Sequence, residues 1–291
     1  MAWRTVVVSK PSKLDLRLGY MIVRDSEDVV RVHISEISVL IIESIRTSMT
    51  AALLCELSRQ KVKVIFCDEK LNPYGELIPY YGGFDSSLSI RNQISWSEDS
   101  RQAVWTVIVA EKIRNQALCL EYFKIDKAQQ LYQYIDEMEF NDATNREGHA
   151  AKVYFNALFG KSFSRSQDNP VNAALNYGYS LILSCVNREI ACAGYLTQIG
   201  LFHSNRFNPF NLSCDLMEPF RPIVDGFVKK LSPETFETEE KRKLQSLLNT
   251  EFMIEDRRQT LLNTVKIYTK GTLEAIEAGD ISLMKLYRYE L

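Results

Sequence analysis

Histidine is scarce in this chain. His33, His149 and His203 are the only three among 291 residues, so an imidazole-based acid, base or metal ligand has few possible positions. The six cysteines contain no C-x-x-C pair, which argues against the usual cysteine–histidine zinc spacings. Most of them sit inside apolar runs and read as buried free thiols of a reducing compartment. No G-x-x-x-x-G-K-[ST], G-x-G-x-x-G or G-x-S-x-G occurs. Phosphate loops, dinucleotide fingerprints and serine elbows are therefore not indicated. No stretch approaches the roughly 18 uncharged apolar residues of a membrane span. The opening MAWRTVVVSK lacks the apolar core of a signal peptide. The expectation is a soluble intracellular protein with no membrane partner. A strong positive excess is also missing: the net charge is -2, so bulk charge alone does not announce a nucleic-acid partner.

What is present is ample apolar material. Apolar residues make up 46% of the chain and charged residues 25%, enough for one large domain or two ordinary ones. Short strand-like runs dominate the first part: Trp3 to Val8, the alternating Leu14 to Leu18, Tyr20 to Val23, Val29 to Ile34, Val39 to Ile42 and Val62 to Phe66. Ser48 to Ser58 has helical spacing. Pro73, Gly75, Pro79, Gly82 and Gly83 then cluster without periodicity, which reads as a linker. Beyond it apolar residues recur at three and four, most clearly over Trp105 to Tyr122, Arg146 to Leu158 and Val171 to Tyr195. Asn169-Pro170 suits a capped helix start. The expected fold class is α+β: a β-rich N-terminal domain over 1–72, a linker over 73–86, and a larger all-helical domain over 87–291.

Few residues suit chemistry. His33 reads as an ordinary strand histidine. His149 stands two positions after Glu147, about 200° around a helix, so the two face apart. Glu147, within Asn145-Arg146-Glu147-Gly148-His149, fits either a first-turn glutamate favoured by the helix dipole or a ligand beside small residues. Asp215 and Glu218 are three apart and would share a helical face. Such a pair suits a hard divalent cation, and it equally suits a capping box with Asp215 as N-cap. Pro219 and Pro222 place the pair at a helix entrance.

Taken together, N-R-E-G-H-A-A, N-A-A-L-N-Y-G-Y, A-G-Y-L-T-Q-I-G-L-F-H and D-L-M-E-P-F-R-P-I-V-D resemble the CRISPR-associated spacer integrases, the first-numbered Cas proteins. W-R-T-V-V-V and S-W-S-E-D are similar to the type II form. The resemblance spans the chain. It implies a prokaryotic, cytoplasmic enzyme that inserts short foreign DNA fragments into a repeat array. In the reaction a 3′-hydroxyl attacks a backbone phosphate. By motif position, the metal ligands would be Glu147, His203 and Glu218, with Asp215 as the neighbouring acid and Mg²⁺ or Mn²⁺ as the ion. Many family members carry aspartate where Glu218 stands, which leaves the division of labour between Asp215 and Glu218 open. The implied partners are double-stranded DNA fragments and repeat DNA, a second copy of the chain through the N-terminal domain, and a second small adaptation protein. The type II form adds a ring-forming accessory protein and the RNA-guided nuclease. Arg206, Arg221, Lys152 and Tyr177 are the candidate DNA contacts, the arginines because guanidinium matches phosphate bidentately. Two alternatives stay open: a non-catalytic helical nucleic-acid-binding scaffold, and a metal phosphodiesterase acting on RNA.

Overall fold

The computed structural model describes residues 4–79 and 86–289. The chain divides into two compact units, Met1–Phe84 and Asp85–Leu291.

The first unit holds β1 (Arg4–Val8), β2 (Lys13–Arg17), β3 (Tyr20–Arg24), β4 (Val29–His33), β5 (Ile37–Ile42), β6 (Ser48–Met49), α1 (Ala51–Arg59), β7 (Lys63–Cys67) and β8 (Pro73–Leu77). One sheet runs β1-β5-β7-β8 and the other β4-β3-β2-β6. Every residue of β5 is buried, as its unbroken Ile-Ser-Val-Leu-Ile-Ile composition demands of a strand covered on both faces. Strands β2 and β3 join through Leu18 and Gly19, both at positive φ, which the tight hairpin turn requires. Leu14, Met21, Leu40, Leu53, Leu57 and Val64 meet in the core between the sheets and α1. Pro73–Leu77, expected within the linker, is instead an antiparallel edge strand on β7. An edge tolerates Pro73 because one side of the strand has no ladder to donate to. Residues 80–85 of that expected linker lie outside the described residues.

The second unit contains α2 (Ser86–Ser95), α3 (Glu98–Tyr122), α4 (Ala128–Asp136), α5 (Arg146–Phe159), α6 (Pro170–Cys192), α7 (Asn211–Met217), α8 (Arg221–Leu231), α9 (Thr238–Ser246), β9 (Glu251–Ile254), β10 (Arg257–Thr260), α10 (Leu261–Ala278) and β11 (Tyr287–Arg288). It is therefore helical but not wholly so, because a sheet ordered β10-β9-β11 closes its C-terminal part. Helix α3 runs through the centre, packing on α4, α5, α8 and α10. That position explains why Trp105, Ile108, Ile113 and Ala117 are buried together with the polar Lys112, Asn115 and Gln116. Helix α6 begins as its sequence suggests: Asn169 accepts from Asn172 N, and Pro170 supplies the first turn. No described helix is long and apolar enough to cross a membrane. Cys67, Cys119 and Cys185 are buried, whereas Cys55 is exposed, contrary to its apolar setting in sequence.

Candidate functional site

Four elements of the helical unit meet at the acids singled out above. Glu147 stands in the first turn of α5, whose entry is held by side chains. Asn145 is the N-cap, accepting from Gly148 N at 3.3 Å, and Asp142 accepts from Arg146 N at 2.6 Å and Glu147 N at 3.1 Å. Glu218 opens the 3-10 turn Glu218–Phe220 that leads into α8. The turn is braced from outside its own chain segment. Tyr287 donates to the Pro219 carbonyl at 2.6 Å, Asn115 Nδ2 donates to the same oxygen at 3.1 Å, and Tyr289 donates to the Pro222 carbonyl at 3.0 Å.

The two glutamates converge on one cation belonging to the protein. Lys112 Nζ of α3 lies 2.5 Å from Glu147 Oε1 and 2.5 Å from Glu218 Oε2. Arg221 Nε donates to the other oxygen, Glu218 Oε1, at 2.9 Å. Charge attraction is the larger part of the hold that Lys112 has on Glu218 Oε2, and a hydrogen bond adds to it. Burial works against ionisation of Glu218, but the charges of Arg221 and Lys112 outweigh it and hold the carboxyl at about 2. Burial also opposes charge on Lys112. Glu218 and then Glu147 overcome it, and the ammonium titrates above its usual range.

Asp215 has a different task. It is fully buried in the last turn of α7, not at an N-cap, so the capping-box reading of Asp215 and Glu218 is overturned. Its Oδ2 accepts from Leu201 N at 2.6 Å and Phe202 N at 3.1 Å, and its Oδ1 accepts from His203 N at 3.2 Å and from His203 Nδ1 at 2.5 Å. Four donors occupy both oxygens, and the carboxylate shapes the 201–203 loop around itself. Gly200 makes this approach possible: a Cβ there would lie 2.4 Å from the His203 carbonyl oxygen and 2.7 Å from Asp215 Oδ2. The hydrogen bond to Asp215, opposed by burial and helped by its charge and those of Glu218 and Glu147, raises the titration point of His203. Trp105 lies edge-on to the imidazole at 5.9 Å and stacks on Phe202 at 4.6 Å. With Nδ1–H turned to Asp215, the Nε2 lone pair remains for a ligand, the arrangement seen when a carboxylate orients a metal-binding histidine.

The structure thus gathers Glu147 and Glu218 around Lys112 and pairs His203 with Asp215. Among the described residues, no three His, Cys, Asp or Glu side chains already form a group that would hold an ion. The chemistry of the donors nonetheless fits a divalent cation. Two carboxylates from separate elements point at one positive charge, and a carboxylate-oriented imidazole stands within their field.

Beside this cluster lies a cavity of about 240 Å³ lined by Lys112, Gln116, Arg165, Tyr179, Arg221 and Asp225, among others. Arg221 sits 4.6 Å and Arg165 5.4 Å from the Tyr179 ring centre. Tyr179 donates to the buried Asp225 carboxylate. Burial raises Asp225 to about 6 despite that hydrogen bond. Arg165 is among the basic residues that the sequence offers as DNA contacts, whereas Lys112, Tyr179 and Asp225 escaped the search for site residues. A usable signal existed in Val109-Ala110-Glu111-Lys112-Ile113, where two charges interrupt an apolar helical run. On the other side of His203 opens a cleft of about 600 Å³ bordered by Arg101, Gln198, Asn205, Arg206 and Phe207. Arg206 lies 4.5 Å over the ring of Phe207, which is 79% exposed.

The remaining candidates divide by exposure. Lys152 and Arg206 are exposed, and Arg221 is committed to Glu218. Tyr177 is buried, receives a hydrogen bond from Gln245 Nε2 at 2.8 Å and meets Phe236 edge-on. It is a core residue with no face open to a base. Lys241 is likewise buried, near the Tyr177 and Phe236 rings. His33 contacts Ser35 and Tyr20, and His149 faces Tyr134, away from the acids.

This pairing of a β-rich unit with a helical unit is shared with known proteins. The family model described as CRISPR associated protein Cas1 matches residues 5–265. A CRISPR-associated endonuclease Cas1 of Neisseria meningitidis is 36% identical over 226 residues, covering 77% of this chain and 74% of that one. The structure of a Cas1 protein from Thermotoga maritima superposes with a TM-score of 0.77 at 17% identity, over 95% of this chain and 98% of the other. A casposase bound to integration product gives 0.76 at 17% identity, over 96% and 92%. The chain belongs to the Cas1 family.

Proposed function

We propose that this chain is a metal-dependent DNA integrase and endonuclease of CRISPR adaptation. It joins short foreign fragments to repeat DNA through attack of a 3′-hydroxyl on a backbone phosphate. The observation that carries the reading is the convergence of Glu147 and Glu218, from two separate elements, on a single cationic point beside an imidazole held by Asp215. Membership of the family whose relatives bear the name endonuclease supports it, as does the fold shared with a casposase bound to integration product.

Glu147, Glu218 and His203 would hold Mg²⁺ or Mn²⁺, with Asp215 orienting His203 and not itself coordinating. A bound cation there supplies Lewis-acid stabilisation of charge on the phosphate and on the attacking hydroxyl. The protein's own groups do the rest. Asp215 keeps the proton on Nδ1 and Nε2 bare. Arg221 balances Glu218 on one side and presents its guanidinium to the polar cavity on the other, where Arg165 adds a second. Both suit a phosphate whose charge grows during transfer. Arg206 and Lys152 serve the DNA beyond the reacting phosphate, and the exposed Phe207 offers a stacking face.

The partners proposed are double-stranded DNA, a second copy of the chain, a small second adaptation protein, and, in a type II system, a ring-forming accessory protein and the RNA-guided nuclease in a prokaryotic cytoplasm. For the second copy, edge strand β4 exposes Val29 at 59% and Val30 at 52%, an apolar surface suited to another protein.

The test is strand transfer of labelled DNA ends into repeat DNA, with RNA ends alongside. Chelation and His203→Ala should each abolish DNA joining. Asp215→Asn, which keeps the imidazole but weakens its anchor, should lose about 10–100-fold. Activity indifferent to chelator, or joining of RNA in preference to DNA, refutes the proposal.

A further inference from the structure

Lys112 poses a problem that the proposed function does not solve. Its ammonium stands 2.5 Å from a carboxylate oxygen of Glu147 and 2.5 Å from one of Glu218. A divalent cation bound by both carboxylates would need that same point, because Mg²⁺–oxygen distances are about 2.0–2.1 Å. Two positive centres cannot share it. Lys112 and Arg221 offset the charges of Glu147 and Glu218. A divalent ion at that point with Lys112 unmoved would crowd three positive centres onto two carboxylates in a largely buried place, at a cost the low dielectric makes large.

Three features indicate where the ammonium goes. Lys112 already gathers carboxylates from two separate elements at one point, so a cation that takes its place meets both. Lysine is a compact charge on a flexible four-carbon stem, able to swing while its Cα stays in α3. The adjoining cavity of about 240 Å³, which Lys112 itself lines, also holds Arg165, Tyr179 and Arg221. Two guanidinium groups make that cavity unwelcoming to a third cation alone, and welcoming to it together with an anion. A phosphodiester in transfer carries such an anionic charge, and it increases on the way to the transition state.

We infer that Lys112 is a displaceable counter-ion: it holds Glu147 and Glu218 together before metal arrives, is expelled by the metal, and then joins Arg165 and Arg221 on the phosphate undergoing transfer. The inference rests on the metal-site reading proposed above. It adds a coupling to that reading, since the residue that holds the two carboxylates together becomes a phosphate ligand only after a metal takes its place. Metal and DNA phosphate would then favour one another's binding.

The test measures Mn²⁺ binding by electron paramagnetic resonance on the full chain, wild type against Lys112→Met. Removing the competing charge should tighten Mn²⁺ binding at least about tenfold. Without metal, the variant should melt lower than wild type, because two carboxylates then face each other unbalanced, and it should gain more from added Mn²⁺. The second measurement needs no variant. Amine acetylation of the wild type, read by mass spectrometry, should label Lys112 several-fold faster with Mg²⁺ alone than in chelator, and adding a DNA end to the Mg²⁺ sample should slow it again. If wild type and Lys112→Met bind Mn²⁺ equally, or the variant binds more weakly, the counter-ion role is wrong while the metal site stands. If neither binds Mn²⁺, the metal reading falls and this inference with it. Should Lys112→Met fail to fold, the acetylation comparison decides, and unchanged labelling overturns the inference.

Discussion

Asp215 and Glu218 are three residues apart and carry the same charge, yet they do opposite things. Asp215 spends both oxygens on the backbone of residues 201–203 and on one ring nitrogen, so it organises the site from beneath. Glu218 gives one oxygen to the Arg221 guanidinium and points the other at the Lys112 ammonium. The difference comes from Gly200, whose missing side chain lets the 201–203 loop fold onto Asp215. Gly200→Ala should therefore damage the site out of proportion to the atom added. The new Cβ would meet a carbonyl oxygen at 2.4 Å, and a backbone atom cannot swing aside. The expected costs are about 1–3 kcal/mol of stability and a loss of strand transfer comparable to that of Asp215→Asn. Denaturant unfolding and single-turnover joining, run at a temperature where both proteins stay folded, check this. A stable variant with normal activity would remove Gly200 from the account.

At the scale of elements, the site depends on how closely α6 and α8 approach. A Cβ at Gly178 would lie 2.4 Å from Val224 Cγ1, and Val224 is fully buried. Gly178→Ala should cost about 1–3 kcal/mol by forcing the helices apart. Val224→Ala on its own removes buried methyls and also destabilises. Combined, the two should cost less than their sum, because the smaller residue on α8 makes room for the larger one on α6. Strict additivity in denaturant titrations would show that the helices do not meet at these positions. The elements also show where local pattern ran out. Strand β8 carries proline and glycine, so its sequence reads as a linker, and only pairing with β7 makes it a strand. Strands β9 and β10 are joined by Glu255 and Asp256, both at positive φ with no glycine to announce the turn. The long helices were legible because their apolar spacing persists over many turns, while four-residue strands offer too few repeats for a period to emerge.

At the scale of the whole molecule, buried charge makes stability depend on pH. Burial lifts Asp225 from the ordinary 3.8 to about 6, so between those values the folded chain holds a proton that the unfolded chain has released. Stability contributed by that group is present below about 4 and declines as pH rises towards 6, by on the order of 3 kcal/mol. Glu218 acts in the opposite sense and lower down. Held at about 2, it contributes stability above its ordinary 4.5 and loses it as pH falls. Glu111, which burial also raises above its ordinary 4.5, loses stability in the same direction as pH rises, so the Asp225 share between 4.5 and 6.5 is read from a variant at that residue. Asp225→Asn, which keeps an acceptor for the Tyr179 hydroxyl, should gain stability relative to wild type as pH rises across that interval. Melting curves of the two proteins that stay parallel from pH 4.5 to 6.5 would contradict the assignment.

The order of residues by itself determined the division into a β-rich part and a helical part, because side-chain periodicity is a local property of the chain. It also determined which acids and which histidine deserved notice, since few histidines exist and the four motifs stand in one order. It placed Glu147 and His149 on opposite faces by helix geometry alone, as their separate neighbours in the structure agree. Only the tertiary structure decided what those residues touch. Lys112 lies 35 positions from Glu147, and nothing local marks it as that residue's partner. Tyr177 looked available to DNA until packing enclosed it. The physical reason is the same throughout: propensity acts between neighbours in the chain, whereas charge balance, burial and steric room are settled between residues the fold brings together.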